Sequence, residues 1–540
     1  MNRHIIPTLL FALFFGSSMS LSAQTDAMGE SLQKIHRLFT ILESNYVDNY
    51  DSKKATEDAI KAILKELDPH SNYLDAEELK RANESLQGSF EGVGITYNND
   101  EDTLLIVSVI EDGPADKAGI CPGDRVMFVG DSLIAGININ AARLSNLLRG
   151  KKGSEVVLRV LREDQPDTLT FKVKRDKIAI ESVSSAYMVT DRVGYIKVLR
   201  FGAQTASELN DAIKKLKKQG MENLILDLRG NPGGYLHAAV EMCDELLPKN
   251  DLIVYTQGKE SKRKDFYTKP GGIFETGKLA VLIDENSASA SEIVSGAVQD
   301  LDRGLVIGRR SFGKGLVQNT YTFADGSAAR ITTARYYTPS GRCIQRPYTG
   351  GKDKYYEELK KRYERGELSS ADSIVFPDSL KFKTKTGRIV YAAGGIMPDI
   401  FVPLDSLFTD SVVKVMNDKN LLYRFGVRYV QQNRKKLMKE YSGFEAFRNN
   451  YHVDGATLEQ FGLFCVEKGT DIKLASLNQD VRSYAEIMLK ANIARIIWNT
   501  NEYTAILNER DPVMKAALLA FEKDKMAELL NSGKEDTGVK

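Results

Sequence analysis

The chain has 540 residues, 42% of them hydrophobic and 27% charged, with 74 Lys plus Arg against 73 Asp plus Glu. That length exceeds what one core holds and implies three or four domains, while the even charge balance excludes nucleic acid as a partner. Four cysteines, Cys121, Cys243, Cys343 and Cys465, are widely separated and match no metal-ligand spacing. No metal, no cofactor and no disulfide framework is therefore expected, and Cys121, which follows an apolar run, reads as a buried free thiol.

Met1 to Ala23 has the layout of a secretory signal: a short basic start at Arg3, the apolar run IIPTLLFALFFG, and small residues ending at Ala23. No later stretch is long and apolar enough to span a bilayer, so a soluble protein exported to the periplasm or cell envelope is expected. Residues 24–86 form a helical region, in which Leu38, Ile41, Leu42 and Tyr46, then Ala59, Ile60, Ile63 and Leu64, follow helical spacing. So small a unit must bury its apolar face on the body or on a second copy, and a homo-oligomer such as a dimer is expected. Asp68, Pro69 and His70 in LDPHSNYL read as a structural turn.

Residues 87–176 place short strands, LLIVSVI and EVVLRVLR, between glycine turns. With FEGVGITY, EDGPADKAGICPGDRVMFVGD and a helix around Ala141 to Leu148, the segment resembles a PDZ domain. The resemblance implies that an extended peptide adds a strand at the sheet edge, with its terminal carboxylate held at Gly92, Val93, Gly94 and Ile95.

From 177 to 403 the elements alternate: GYIKVLRF, a helix opened by TASE read as a capping box, LILDL, a helix from Tyr235, LIVY, LAVLID, and a helix carrying Ile293, Val294, Ala297 and Val298. Alternation implies an α/β layer fold. Ser289 falls at a strand-to-helix turn, where the helix dipole favours a developing oxyanion. Ser287 and Ser291 are its rivals and read as caps. A serine needs a base, and a lysine serves only when neutral. Lys314, 25 residues on and bracketed by glycines, is the candidate, with burial as the means of lowering its pKa. Gln318 can orient it by accepting an ammonium hydrogen; in a straight strand the two lie roughly 13 Å apart, so contact requires a bend at Gly315. The turn in DLRGNPGGYL offers bare amides at Gly233 or Gly234, which together with Ala290 make a candidate oxyanion hole. His237 is the one rival base.

SASASEI, GKGLVQ and LRGNPGG together resemble the carboxyl-terminal processing proteases, the S41 type of serine protease, and the similarity runs from about Phe39 through ARYYTPSGRCIQ to GIMPDIFVP. It implies a crotonase/ClpP-like core with an inserted PDZ domain, an N-terminal helical arm often used for dimerisation and a C-terminal helical domain. It also implies a Ser-Lys dyad, Ser289 and Lys314, assisted by Gln318. An insertion at about 350–385, with KDKYYEELKKRYERGE as a solvated helix, is absent from shorter relatives. Residues 404–540 read as an accessory helical domain for oligomerisation or for docking an adaptor protein, with a disordered tail GKEDTGVK.

A carboxylate-binding module in one chain with a hydrolase implies an endopeptidase that selects protein or peptide substrates by their free C-termini. The competing readings are a non-catalytic PDZ scaffold that sequesters C-termini, and a Ser-His hydrolase acting through His237.

Overall fold

The computed structural model describes residues 10–100, 103–162, 165–472, 477–522 and 525–532. The first nine residues of the expected signal, and the expected disordered tail, lie outside the described residues. Two compact units divide the chain: one holds the residues up to Leu67 with Ser71–Tyr73, the other Asp68–His70 and the residues from Leu74 onward.

The first unit is built on helices Leu10–Asn45 and Ser52–Lys65, the second capped by the Asp51 carboxylate on Lys54 N–H at 3.0 Å. The long helix runs through Ala23 without a break. Met28, Leu32, Ile35, Leu38 and Ile41 are exposed along it.

In the second unit, strands Ile95–Asp100, Thr103–Val109, Arg125–Val129, Glu155–Leu161 and Leu169–Lys174 pair as antiparallel neighbours, and helix Ala141–Leu148 packs on them over Ile106, Val126, Leu158, Val160 and Val173. Cys121 is exposed rather than buried. The apolar run ends at Ile120, and Cys121 opens a turn closed by its own N–H donating to Asp124 Oδ2.

The central layer is a six-stranded sheet. Val183–Met188 runs antiparallel to Val193–Val198, followed by parallel strands Asn223–Asp227, Leu279–Ile283, Leu305–Gly308 and Ile400–Phe401. Parallel strands need cover on both faces. Helices Thr205–Lys218, Leu236–Leu246 and Ala290–Asp300 pack one face, and Val513, Met514, Ala517 and Phe521 of helix Pro512–Glu522 pack the other, against Tyr195, Ile225, Ala280 and Ile307. The end of the accessory region thus packs on the central sheet. Its long helix Leu421–Glu440 also meets the PDZ sheet, where the Tyr423 hydroxyl donates to the Val107 carbonyl at 2.7 Å.

Two local expectations are corrected. TASE is no capping box, because Thr205 is the first helical residue, its buried Oγ1 accepting from Gly202 N–H, while the Glu208 carboxylate accepts from Ser182 and Val183 N–H. The helix Lys352–Glu364 is not simply solvated: Tyr355 and Arg362 are each 2% exposed.

Candidate functional site

Strand Leu279–Ile283 is wholly buried, and it ends in a turn that delivers Ser289 to the first turn of the buried helix Ala290–Asp300. Three serines crowd this turn and their hydroxyls diverge. Ser287 Oγ donates to the Leu228 carbonyl at 2.8 Å and Ser291 Oγ to the Asn231 carbonyl at 2.9 Å, both inaccessible to solvent. These two staple the turn to the loop after Asn223–Asp227. Ser289 alone of the three is partly exposed. Its backbone has φ 55°, ψ −112°, a conformation that a non-glycine residue keeps only when its surroundings impose it.

The imposition comes largely from Glu292, a fully buried carboxylate with four donors converging on it. Ser289 N–H and Lys314 N–H bond Oε2 at 2.8 and 2.9 Å, and Gly313 N–H and Ser311 Oγ bond Oε1 at 2.7 and 2.5 Å. Burial pushes this carboxyl up while the hydrogen bonds pull it back. Tyr336 closes the arrangement from the other side, donating to the Lys314 carbonyl at 2.6 Å with the Ser289 carbonyl 3.1 Å away. Two buried side chains thus fix the serine turn and the lysine loop as one piece.

Lys314 is mostly buried, and this desolvation holds its ammonium below the usual lysine range; Arg330 adds to the effect, and Glu292 and Asp68 oppose it. The loop turns at Gly313, with φ 89°, whereas Gly315 is required for close approach, since a Cβ there would stand 2.9 Å from Gln345 N. Among the described residues no hydrogen bond joins Ser289 Oγ to Lys314 Nζ, or Gln318 to Lys314. A register irregularity follows Val317, and Gln318 Nε2 donates to Thr332 Oγ1 at 3.4 Å. Thr332 Oγ1 donates in turn to Asp68 Oδ1 at 3.0 Å, and His70 N–H bonds the same oxygen at 2.8 Å. His70 Nε2 lies 2.9 Å from the Tyr355 hydroxyl, and burial, with Lys314 as the next cause, pulls its pKa down to about 4. His237 is exposed and stacked on Tyr235 at 4.8 Å.

Opposite Ser289 lies the loop Arg229–Tyr235. Gly233 and Gly234 take φ 95° and 154°; a Cβ on Gly233 would sit 2.8 Å from Ser289 Cβ, and one on Gly234 2.1 Å from the Phe201 carbonyl. Gly233 N–H is engaged by Asn231 Oδ1 at 2.9 Å. Among the described residues, the N–H groups of Gly234 and Ala290 make no hydrogen bond. Arg229 anchors the loop between buried Asp227 at 2.7 Å and Asp511 at 2.5 Å, next to helix Pro512–Glu522.

A peptidase family S41 model matches residues 192–351, and a PDZ-domain model matches 92–174. The carboxy-terminal-processing protease of Bartonella bacilliformis is 36% identical over 349 residues, which cover 62% of this chain and 80% of that protein. The chain belongs to the carboxy-terminal processing proteases of family S41. CtpA of Bacillus subtilis, a carboxy-terminal processing protease, shares 32% identity over 434 residues, 78% of this chain and 89% of the relative. Among solved structures, the photosystem II D1 C-terminal processing protease is 30% identical, covering 57% of this chain and 83% of that one at a TM-score of 0.33. A model of the activating protease CtpB N-terminal domain matches 16–78, and one of a family of unknown function matches 412–499.

In the PDZ domain of this S41 protease a cavity of about 100 Å³ lies between strand Ile95–Asp100 and helix Ala141–Leu148, and Phe90, Val93, Gly94, Ile95, Tyr97, Ser145, Leu148 and Arg149 line it. Gly92 lies outside the lining, in strand Ser89–Gly92 paired with Asp176–Ala179. The Val93 and Gly94 carbonyls accept from Ala115 and Ile110 N–H, and Gly94 has φ 78°. Sequence reasoning missed Glu292, Tyr336, Asp68 and His70. Only Glu292 left a signal, as the acid three residues after Ser289.

Proposed function

We propose that this protease cuts peptide bonds with Ser289 as nucleophile and neutral Lys314 as general base, on proteins selected by a free C-terminus in the PDZ groove. The supporting observation is the joint immobilisation of the serine turn and the lysine loop by Glu292 and Tyr336, with Ser289 the one accessible hydroxyl of three. Among the described residues nucleophile and base share no hydrogen bond, and substrate commonly tightens such contacts. Ser289 Oγ attacks the scissile carbonyl carbon as its proton passes to Lys314 Nζ; the resulting oxyanion is met by the N–H groups of Ala290 and Gly234, which the engagement of Gly233 by Asn231 favours over Gly233. The ammonium then protonates the leaving amine, and water hydrolyses the acyl-enzyme. Gln318 acts through Thr332 and Asp68 rather than on Lys314 directly.

The reading includes removal of residues 1–23 on export, with 24–86 as an arm, 87–176 as PDZ domain, 177–403 as protease core and 404–540 as the helical region. The exposed apolar residues of helix Leu10–Asn45 suit pairing of two copies through the arm. Among the described residues no helix is long and apolar enough to cross a membrane.

The test incubates protein lacking residues 1–23 with an unfolded substrate carrying a free or an amidated apolar C-terminus, and reads products by intact mass. Preferential cutting of the free-tail substrate, lost in Ser289→Ala and in Lys314→Ala, is the expected result. Full activity in Lys314→Ala sinks the dyad, and equal cutting of both substrates sinks tail selection.

A further inference from the structure

The insertion packs three arginines from separate segments around one cavity. Arg310 precedes the lysine loop, Arg346 follows the segment ARYYTPSGRCIQ, and Arg362 lies on helix Lys352–Glu364; all three line a cavity of about 280 Å³ together with Lys354 and one carboxylate, Glu358. Arg346 is the informative member. It is 2% exposed, with its guanidinium between the rings of Phe312 and Tyr355, 4.1 and 3.9 Å from their centroids. Among the described residues none of its three side-chain nitrogens has a hydrogen-bond partner, and the Nε atoms of Arg310 and Arg362 lack one too. A buried cation left in this state is costly unless an acceptor completes it.

The nearby acids are already engaged. Glu367 pairs with Arg310 and Arg365, and Glu358 with Arg365 and, at 3.9 Å, Arg362. Arg362 gives its terminal nitrogens to the Ser311 and Gly394 carbonyls at 2.8 and 3.1 Å. Burial, with Arg310 and Arg346 as the next causes, pushes its pKa down to about 9, and Glu367 and Glu358 oppose the shift. One planar carboxylate satisfies one guanidinium fork; three guanidiniums arriving from three segments suit an oxyanion that accepts in every direction.

We propose that this cavity binds a tetrahedral oxyanion of the phosphate class, with Arg346 as its principal ligand. Occupancy bears on the active site through the backbone, because Arg346 N–H donates to the Gly313 carbonyl at 3.1 Å and Arg362 holds the Ser311 carbonyl, both in the loop that carries Lys314. The bound anion therefore stiffens the segment whose other side is held by Glu292.

Isothermal titration of the full chain with inorganic phosphate, at ionic strength fixed with sodium chloride, tests the site, with glutarate as the carboxylate arm. Saturable one-site binding of phosphate is expected, weakened at least about tenfold in Arg346→Gln and severalfold in Lys354→Ala. Lys354 is exposed, so its variant keeps the test decisive should Arg346→Gln fail to fold. Absence of saturable phosphate binding, a preference for glutarate, or unchanged affinity in the folded variants overturns the proposal.

Discussion

Replacing Glu292 by glutamine keeps the side chain's size and removes half of what it does. The carboxylate accepts four hydrogen bonds, two on each oxygen. An amide has one oxygen and presents its NH2 to two groups that are themselves donors. Two charge-assisted bonds are lost, each contributing about 1.5–3 kcal/mol, or about 3–6 kcal/mol together. Relief from burying an ion offsets part of this, so Glu292→Gln should destabilise by about 2–4 kcal/mol. Activity should fall further than stability suggests. Whichever way the amide turns, either the Ser289 and Lys314 amides or the Ser311–Gly313 side of the loop loses its anchor, and displacement by about 1 Å costs about a hundredfold in rate. Urea unfolding followed by circular dichroism gives the first quantity and cleavage of an unfolded substrate the second. A variant within about 1 kcal/mol of wild type and within about threefold in kcat/KM would refute the claim that this carboxylate holds the site together.

The proposed dyad needs Lys314 neutral to accept a proton, so on that proposal kcat/KM should rise with pH along a limb whose midpoint lies below 10.5, the ordinary lysine value. The depressed pKa also means that charging Lys314 opposes folding below its folded-state pKa, so Lys314→Met should be inactive yet more stable than wild type at neutral pH; a lower urea midpoint would contradict the assigned burial cost. Gly233→Ala forces a Cβ to 2.7 Å from the Ala288 carbonyl at φ 95°, costing about 2–4 kcal/mol and the activity. Gly230→Ala, at φ 71° with nothing within 4 Å, should cost only about 1 kcal/mol in the same unfolding assay. Met514→Ala, distant in sequence from the chemistry, should destabilise the protease core by about 2–4 kcal/mol, since Met514 is 1% exposed against the sheet; no change in thermal midpoint would show that this helix is dispensable.

The α/β layer and the PDZ module were legible because apolar runs and glycine turns are local signals, and strands such as Leu279–Ile283 follow them closely. The serine turn was legible for the same reason. What escaped was anything supplied by distant segments. Asp68 and His70 read as a turn because nothing nearby in sequence announces that their partner Thr332 lies 264 residues away. Tyr336 drew no reading of its own within ARYYTPSGRCIQ, although its hydroxyl bridges two loops. TASE misled because Thr205 and Glu208 do bond backbone amides, but that of Gly202 just before the helix and those of the distant Ser182 and Val183. The insertion helix read as solvated because its charges dominate the composition, and of the two residues it buries on one face, Tyr355 and Arg362, the second is itself a charge, so no apolar stripe marks that face.

Helix Pro512–Glu522 has a bearing on the order in which this molecule matures. A chain delivered from its N-terminus presents Ser289 and Lys314 roughly 200 residues before Val513, Met514 and Phe521 arrive. Until then one face of the central sheet is bare and Arg229, at the mouth of the glycine loop, lacks Asp511. This late-arriving segment therefore acts as a keystone, and the sheet and the glycine loop take their final form only after the helix has been delivered.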